Sequence, residues 1–88
     1  MAFRDVNPQA PVHVLVIPKK HIENIAAIEE SDGEILAQIH RCIRKVAQME
    51  ELAEGFRVVV NTGQNGGQTV PHLHYHVVGG RPMKWPPG

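Results

Sequence analysis

The stretch PHLHYHVVGG, Pro71–Gly80, places His72, His74 and His76 at alternate positions with apolar residues between them. Strict alternation of this kind predicts a β-strand, because successive side chains of a strand point to opposite faces of its sheet. The three imidazoles would then share one face and the apolar side chains the other. The chain has six histidines, so half of them fall within five residues. We therefore expect one face of this strand to carry the chemistry of the protein.

Three further segments predict strands, two of them because they are apolar and rich in β-branched residues and the first, 2–6, as a short strand closed by the turn-rich stretch NPQAP. They are Ala2–Val6, Val12–Ile17 and Phe56–Asn61. Apolar residues at helical spacing predict a short helix over 19–28 and a long helix that begins with a capping box of Ser31 and Glu34. Gly55 is the predicted end of the long helix. Because strands and helices segregate along the chain, the fold class is α+β with a mostly antiparallel sheet, one long helix and one short helix.

The length of 88 residues predicts a single domain over residues 1–88. A hydrophobic content of 42% is enough for a packed core, although so short a chain also gains stability from oligomerisation. Residues 81–88, RPMKWPPG, contain three prolines and predict an extended C-terminal tail.

Composition excludes several classes of function. Nine basic and nine acidic residues give a net charge of zero, which predicts no binding to nucleic acid or to an anionic membrane surface. No apolar run approaches the roughly 20 residues of a membrane span. The single cysteine, Cys42, excludes an internal disulfide and favours a reducing compartment, the cytoplasm.

Three histidines on one strand face admit a structural, a metal-binding and a catalytic interpretation. A purely structural role is disfavoured, because neighbouring rings would crowd one another and would repel when protonated. On a straight strand the three rings span about 13 Å, since each residue rises about 3.3 Å. Two adjacent rings could chelate one zinc ion, but the third could not join them. We therefore predict no metal site here.

Catalysis is the interpretation that the neighbouring loop favours. Neutral imidazole is a nucleophile and, near neutral pH, also a general acid or base. The loop TGQNGGQT, residues 62–69, has three glycines, and backbone N–H groups in such a loop can approach a phosphate. A phosphate pocket beside a histidine nucleophile predicts phosphoryl or nucleotidyl transfer through a covalent histidine intermediate, with no cofactor.

The motif HLHYHVV, residues 72–78, resembles the signature of the histidine triad (HIT) family. Further stretches resemble the Hint branch of nucleoside phosphoramidases, namely AFRDV, PQAP, LVIPKKHI, VVN, GGQTV and GGRPMKWPPG. The likeness extends over nearly the whole chain, from Ala2 to Gly88. It implies a HIT-like fold, a homodimer and hydrolysis of the phosphorus–nitrogen bond of purine nucleoside phosphoramidates. It also implies that a helix and a strand, which relatives carry before the segment matching AFRDV, are missing here.

The resemblance assigns catalytic roles residue by residue. His74 matches the nucleophile that accepts the nucleotidyl group, and His72 and His76 match its proton-handling and phosphate-contacting neighbours. His21 matches a histidine that feeds a proton relay. Thr69 stands where relatives often have serine, and its hydroxyl is expected to bond the leaving group.

The resemblance also implies a site for a purine nucleoside monophosphate or phosphoramidate. Asp5 matches a carboxylate that binds the ribose hydroxyls, and Phe3 and Val6 match residues that line the base. The full nucleotide-binding set is Phe3, Asp5, Val6, Asn61, Gly67, Gln68, Thr69, His74 and His76. Two alternatives stay open at this point, a nucleotide-binding or scaffold module without turnover and a histidine-based zinc protein.

Overall fold

The computed structural model describes all 88 residues and consists of one antiparallel sheet covered by one long helix. The helix, α1, spans Gly33–Met49. The four strands lie in the spatial order β1-β2-β4-β3, and their bounds are β1 Ala2–Arg4, β2 Val12–Val16, β3 Phe56–Val59 and β4 Tyr75–Gly79. The predicted α+β class with an antiparallel sheet is confirmed, and the strands predicted at 2–6, 12–17 and 56–61 all form in shortened versions.

Side chains of the central strands β2 and β4 point alternately to the two faces of the sheet. One face packs against α1 and forms the core, and the other face carries the histidines. Val77 of β4 is fully buried and lies opposite Val14 of β2, so both contribute to the core beneath α1. The neighbouring positions, including His76, therefore face away from the helix. The buried core residues are Val14, Val16, Ile22, Ile39, Ile43, Val46, Ala47, Leu52, Leu73, Tyr75 and Val77. Packing of this core holds β2 and β4 in register, and the register fixes the position along the strands of every side chain on the opposite face.

The histidine strand is shorter than its sequence pattern predicts. β4 begins at Tyr75, so His72 and His74 precede the strand and only His76 lies within it. Tyr75 is paired with Val16 near the end of β2, and Pro18, which follows, has no N–H with which to continue a ladder. The prediction of one strand over all three histidines is therefore wrong in extent. Burial still alternates from His72 to Gly79, so the three imidazoles share one side of the chain as predicted.

The helical segments also differ from their predicted bounds. The short helix predicted over 19–28 is reduced to one 3₁₀ turn, Ile25–Ala27. The capping box predicted for Ser31 and Glu34 is wrong, because the residues that cap each other's backbone are Glu29 and Asp32. They open a second 3₁₀ turn, Glu30–Asp32, which runs directly into α1.

The end of α1 is decided by packing of the chain that follows. The helix stops at Met49, and Glu51, rather than Gly55, adopts the left-handed conformation after it, with φ of 58°. The N–H of Leu52 then donates to the carbonyl of Ala47 at 2.9 Å. Leu52 is only 6% exposed, so the chain leaves the helix axis early in order to bury this side chain.

The C-terminal tail, residues 81–88, has no helix or strand, as predicted. Two arginine side chains connect the tail to the rest of the chain. Arg81, in the tail, donates to the carbonyl of Gln9 at 3.1 Å, and Arg57, in β3, donates to the tail carbonyl of Lys84 at 2.8 Å. Trp85 is 83% exposed. None of the helices combines the length and the apolar character needed to cross a membrane.

A buried carboxylate ties the segment before α1 to the end of β2. Asp32 is 2% exposed, accepts from the Lys20 ammonium at 2.6 Å and accepts from the N–H of Glu29 at 2.9 Å. These bonds lower the pKa of Asp32 below its ordinary value of 3.8, with the Lys20 bond as the largest cause and the Glu29 bond next. The same ion pair raises the pKa of Lys20.

We expect Asp32→Asn to destabilise the fold at neutral pH and to lose this effect in acid. A carboxylate whose folded pKa is depressed contributes stability above its ordinary value of 3.8, and this contribution disappears as the pH falls through the folded-state pKa. Urea unfolding at neutral pH and at about pH 2 measures the difference between the two proteins. A difference that stays constant over this range would contradict the assignment.

The matched control is Glu34→Gln. Glu34 also pairs with a cation, Arg41, at 2.7 Å, but its side chain is 72% exposed. Exposed pairs of this kind contribute only about 0–1 kcal/mol, so the control should show little change in the free energy of unfolding at either pH.

Candidate active site

A cavity of about 470 Å³ lies on the sheet face opposite the helix. It brings together six of the residues that sequence analysis singles out, which are Phe3, Asp5, Thr69, His72, His74 and His76. The remaining lining is apolar and consists of Leu15 in β2, Ile17 just after β2, and Val70. The cavity therefore offers apolar walls, one carboxylate and three imidazoles in a single space.

The ring of His74 is held by the backbone carbonyl of His72, two residues earlier in the chain. Its Nδ1 lies 2.7 Å from the carbonyl oxygen of His72. A carbonyl oxygen can only accept, so Nδ1 carries the hydrogen of the neutral ring and Nε2 carries the lone pair. The local backbone thus leaves the lone pair of neutral His74 on Nε2.

His76 is held in the opposite tautomer by a histidine that sequence analysis missed. The N–H of Gln9 donates to Nδ1 of His13 at 3.0 Å, so neutral His13 carries its hydrogen on Nε2. This Nε2–H lies 2.9 Å from Nδ1 of His76 and donates to it. Neutral His76 therefore carries its own hydrogen on Nε2, where it is a donor, whereas His74 presents a lone pair at the same ring position.

The role of His13 depends on strand register. It was predicted only as part of a strand buried on both faces, and it is indeed 6% exposed. In the β2–β4 ladder Leu15 is opposite His76, so His13, two residues away, is a diagonal neighbour of His76 on the same face. The signal in the sequence is a histidine inside an otherwise apolar strand. Its partner could not be identified without the register.

His72 forms a separate pair with His21. Nε2 of His72 lies 3.2 Å from the carbonyl of Pro18 and donates to it, which leaves a lone pair on Nδ1. Nδ1 of His21 lies 3.1 Å from that lone pair, so it carries the hydrogen that is shared between the two rings. His21 does not line the cavity itself. It contacts the cavity only through His72.

The electrostatics of the site favour neutral imidazole at His76. Burial is the largest cause that lowers its pKa below the ordinary value of 6.5, and His74 and His13 lower it further. The Asp5 carboxylate opposes these effects by favouring the charged form. The net direction is downward, so His76 stays neutral to a lower pH than a solvated histidine.

The glycine loop before the histidines depends on its glycines for its path. A Cβ on Gly66 would lie 2.3 Å from the carbonyl oxygen of Thr62, so no other residue fits there. Gly67 has φ of 80°, a conformation that other residues rarely adopt. Gly67, Gln68 and Thr69 line a second cavity of about 460 Å³, whose other lining residues are mostly polar or glycine, and Thr69 also lines the histidine cavity.

Two residues of the predicted nucleotide-binding set lie outside both cavities. Val6 is fully exposed beyond the end of β1, and Asn61 lies just beyond β3. Neither lines the histidine cavity or the second cavity. Nucleotide contacts by these two residues stay a prediction.

One group of side chains resembles a metal site but does not fit one. Ligand atoms of Asp5, His13 and His76 all lie within 4.8 Å of one another. However, Nδ1 of His13 accepts from the Gln9 N–H, so Nε2 carries a hydrogen and has no lone pair for a cation. Nδ1 of His76 accepts from that Nε2–H, and Nε2 of His76 carries a hydrogen. Only the Asp5 carboxylate then offers a free ligand atom, whereas zinc takes about four ligands. This donor chemistry argues against the zinc alternative.

Comparison with known proteins identifies the family. The HIT domain model matches residues 1–83. The chain belongs to the HIT domain family. An uncharacterized HIT-like protein of Synechococcus elongatus is 51% identical over 88 residues, which are 100% of this chain and 77% of that relative.

Solved HIT structures resemble the whole sheet and helix. A HIT family hydrolase from Legionella pneumophila superposes with a TM-score of 0.96 at 52% identity, over 99% of this chain and 79% of that one. A histidine triad nucleotide-binding protein from Candida albicans has a TM-score of 0.78 at 30% identity, over 97% of this chain and 66% of that one. The fold and its relatives are thus those of HIT family hydrolases, and the family resemblance drawn from the sequence is confirmed.

We expect NMR to detect the two opposite tautomers. At a pH where the rings are neutral, imidazole nitrogen chemical shifts should show His74 protonated on Nδ1 and His76 protonated on Nε2. His13→Phe removes the donor to His76 and should leave that ring a mixture of tautomers, while His74 stays unchanged. His40→Gln, a change at a histidine of α1 that does not line the cavity, is the control. The same tautomer on both rings would contradict the hydrogen-bond assignment.

Proposed function

We propose that this HIT protein hydrolyses the phosphorus–nitrogen bond of purine nucleoside phosphoramidates, of the AMP–amine type, through a nucleotidyl-histidine intermediate on His74. The observation that carries the proposal is the 2.7 Å bond between Nδ1 of His74 and the His72 carbonyl, since it leaves a lone pair on Nε2. The hydrolase from Legionella and the nucleotide-binding protein from Candida support the class of reaction and ligand.

The first step transfers the nucleotidyl group to the protein. The lone pair of His74 Nε2 attacks phosphorus, a nitrogen–phosphorus bond to the ring forms, and the bond from phosphorus to the amine breaks. The amine takes the electron pair of the broken bond together with a proton. The family resemblance assigns the handling of that proton to His72, with His21 behind it, and the two rings are hydrogen-bonded to each other at 3.1 Å.

The second step returns the protein to its starting state. Water attacks phosphorus, loses a proton and displaces His74, so that the nucleoside monophosphate leaves and the Nε2 lone pair is restored. In both steps His76, with its hydrogen on Nε2, supplies a neutral donor to a phosphoryl oxygen where negative charge gathers. The two steps sum to the addition of one water across the phosphorus–nitrogen bond.

The nucleoside is proposed to occupy the apolar end of the cavity. Phe3, Leu15 and Ile17 offer a surface suited to a purine, and the Asp5 carboxylate offers acceptors to ribose hydroxyls. One Asp5 oxygen is already oriented by the N–H of Asn7 at 2.8 Å. The phosphate would then lie near Thr69 and the histidines, with the N–H groups of Gly66 and Thr69 as candidate donors, since those of Gly67 and Gln68 already donate to carbonyls within the loop. A cytoplasmic location stays a prediction from the single cysteine.

We expect His74→Ala to abolish turnover of an AMP–amine substrate. Loss of the covalent route should lower turnover by more than the roughly 10²–10⁴-fold that general acid–base catalysis supplies. His72→Ala and His76→Ala should lower turnover by a smaller factor. Steady-state assays of AMP release in the presence of a chelator measure this and test the zinc alternative at once. Near wild-type turnover by His74→Ala would refute the nucleophile, and AMP binding by the wild type without turnover would favour a binding module.

We also propose that the chain forms a two-fold homodimer with its tail docked across the interface. Phe56 and Val58 expose 42% and 40% of their surface on β3, which is an edge strand of the sheet. They line an apolar groove of about 920 Å³ between β3 and α1. The exposed Trp85 supports a role for the tail at a partner surface, because a large aromatic gains most when it is buried.

We expect sedimentation at micromolar concentration to give a dimer for the wild type and a monomer for Val58→Lys. A charge on the edge strand opposes pairing and burial. Ile25→Lys is the control, since Ile25 is 46% exposed but lies outside the groove. A folded, active wild-type monomer would mean that the tail serves its own subunit.

A further inference from the structure

The side chain of Gln68 has no hydrogen-bonding capacity left for a ligand. Its Nε2 donates to the carbonyls of Glu23 at 2.7 Å and Val70 at 2.9 Å. Its Oε1 accepts from the N–H of Gly63 at 3.0 Å and from Asn24 Nδ2 at 3.2 Å. A carboxamide has two donors and two acceptor lone pairs, so all four positions are used.

The orientation of this carboxamide is determined by its partners. The Glu23 and Val70 carbonyls can only accept, and the Gly63 N–H can only donate, so the oxygen and the nitrogen of Gln68 cannot be exchanged. The half-buried side chain is therefore fixed at both ends, although the loop around it is exposed.

These four bonds join three segments that would otherwise be separate. Glu23 and Asn24 belong to the connection that carries His21, Gly63 belongs to the glycine loop, and Val70 begins the approach to the histidines. The one other close backbone tie between the first and third segments is the bond from Leu73 N–H to the Ile22 carbonyl, at 2.6 Å. Thr69 lies between two residues, Gln68 and Val70, that are both part of this network.

We propose that Gln68 is a positioning residue that does not touch the nucleotide. Its carboxamide holds the Thr69 hydroxyl and the His21–His72 pair at their places relative to His74. This assignment differs from the nucleotide-binding role predicted for Gln68 as part of the 66–69 stretch, and it rests on the proposed hydrolysis for its kinetic readout. Misplacement of reacting groups by about 1 Å can cost about 10²-fold in rate, so the effect should appear in kcat.

The test compares Gln68→Met with Gln64→Met. Methionine keeps the length of glutamine and removes all four bonds, while Gln64 is an exposed glutamine of the same loop whose side chain makes no hydrogen bond. For Gln68→Met we expect kcat to fall about tenfold to a hundredfold and the dissociation constant of AMP to change little. Gln64→Met should behave as wild type. Weaker AMP binding with kcat unchanged would make Gln68 a direct ligand and would overturn the proposal.

A double-mutant cycle with Thr69→Val asks whether Gln68 acts through its neighbour. If it does, the double variant should be about as slow as the slower single variant, because the hydroxyl that Gln68 positions is already gone. Independent, additive losses would overturn that route.

Gln68→Glu covers the case in which the methionine variant does not fold. The carboxylate keeps acceptors for Gly63 and Asn24 but faces the Glu23 and Val70 carbonyls without a hydrogen. Protonation restores one donor, so its kcat relative to wild type should rise severalfold as the pH falls toward about 5. A ratio that does not vary with pH would count against the proposal. A wild-type protein without turnover would instead refute the proposed function, so the two failures can be told apart.

Discussion

The site depends on hydrogen bonds from backbone groups to histidine nitrogens. The carbonyls of His72 and Pro18 can only accept, and the N–H of Gln9 can only donate, so each decides which nitrogen of its ring carries hydrogen. A neutral imidazole has one hydrogen and two nitrogens, and a nucleophile and a donor need opposite arrangements. Backbone bonds supply those arrangements without a charged group beside the nucleophile.

These backbone groups are held in place by the core on the other side of the sheet. Val14 and Val77 are buried opposite each other, and this pairing fixes the register that brings His13 to His76. A slip of one residue would turn His76 toward the core, so the register is strongly specified. The stability of the helix–sheet core and the tautomers of the histidines are consequences of the same packing.

The connection between β2 and α1 is the second support of the site. It lacks regular structure apart from two 3₁₀ turns, yet it is tied at one end by Lys20 to buried Asp32 and at the other by Gln68 to the glycine loop. His21 lies between these two ties. A segment with so little secondary structure can hold an imidazole in place only because side chains take over the hydrogen bonds that a helix would have supplied.

The amino-acid sequence by itself determined the fold class, the approximate positions of the strands and the three histidines that line the cavity. Alternation in HLHYHVV, helical spacing before Met49 and the glycines of 62–69 are local signals, and local physics produces them. Only the tertiary structure decided that β4 starts at Tyr75, that His72 pairs with His21, and that His13 completes the site. Those outcomes depend on which distant backbone group meets each ring. That is a matter of strand register and core packing, and no spacing along the chain encodes it locally.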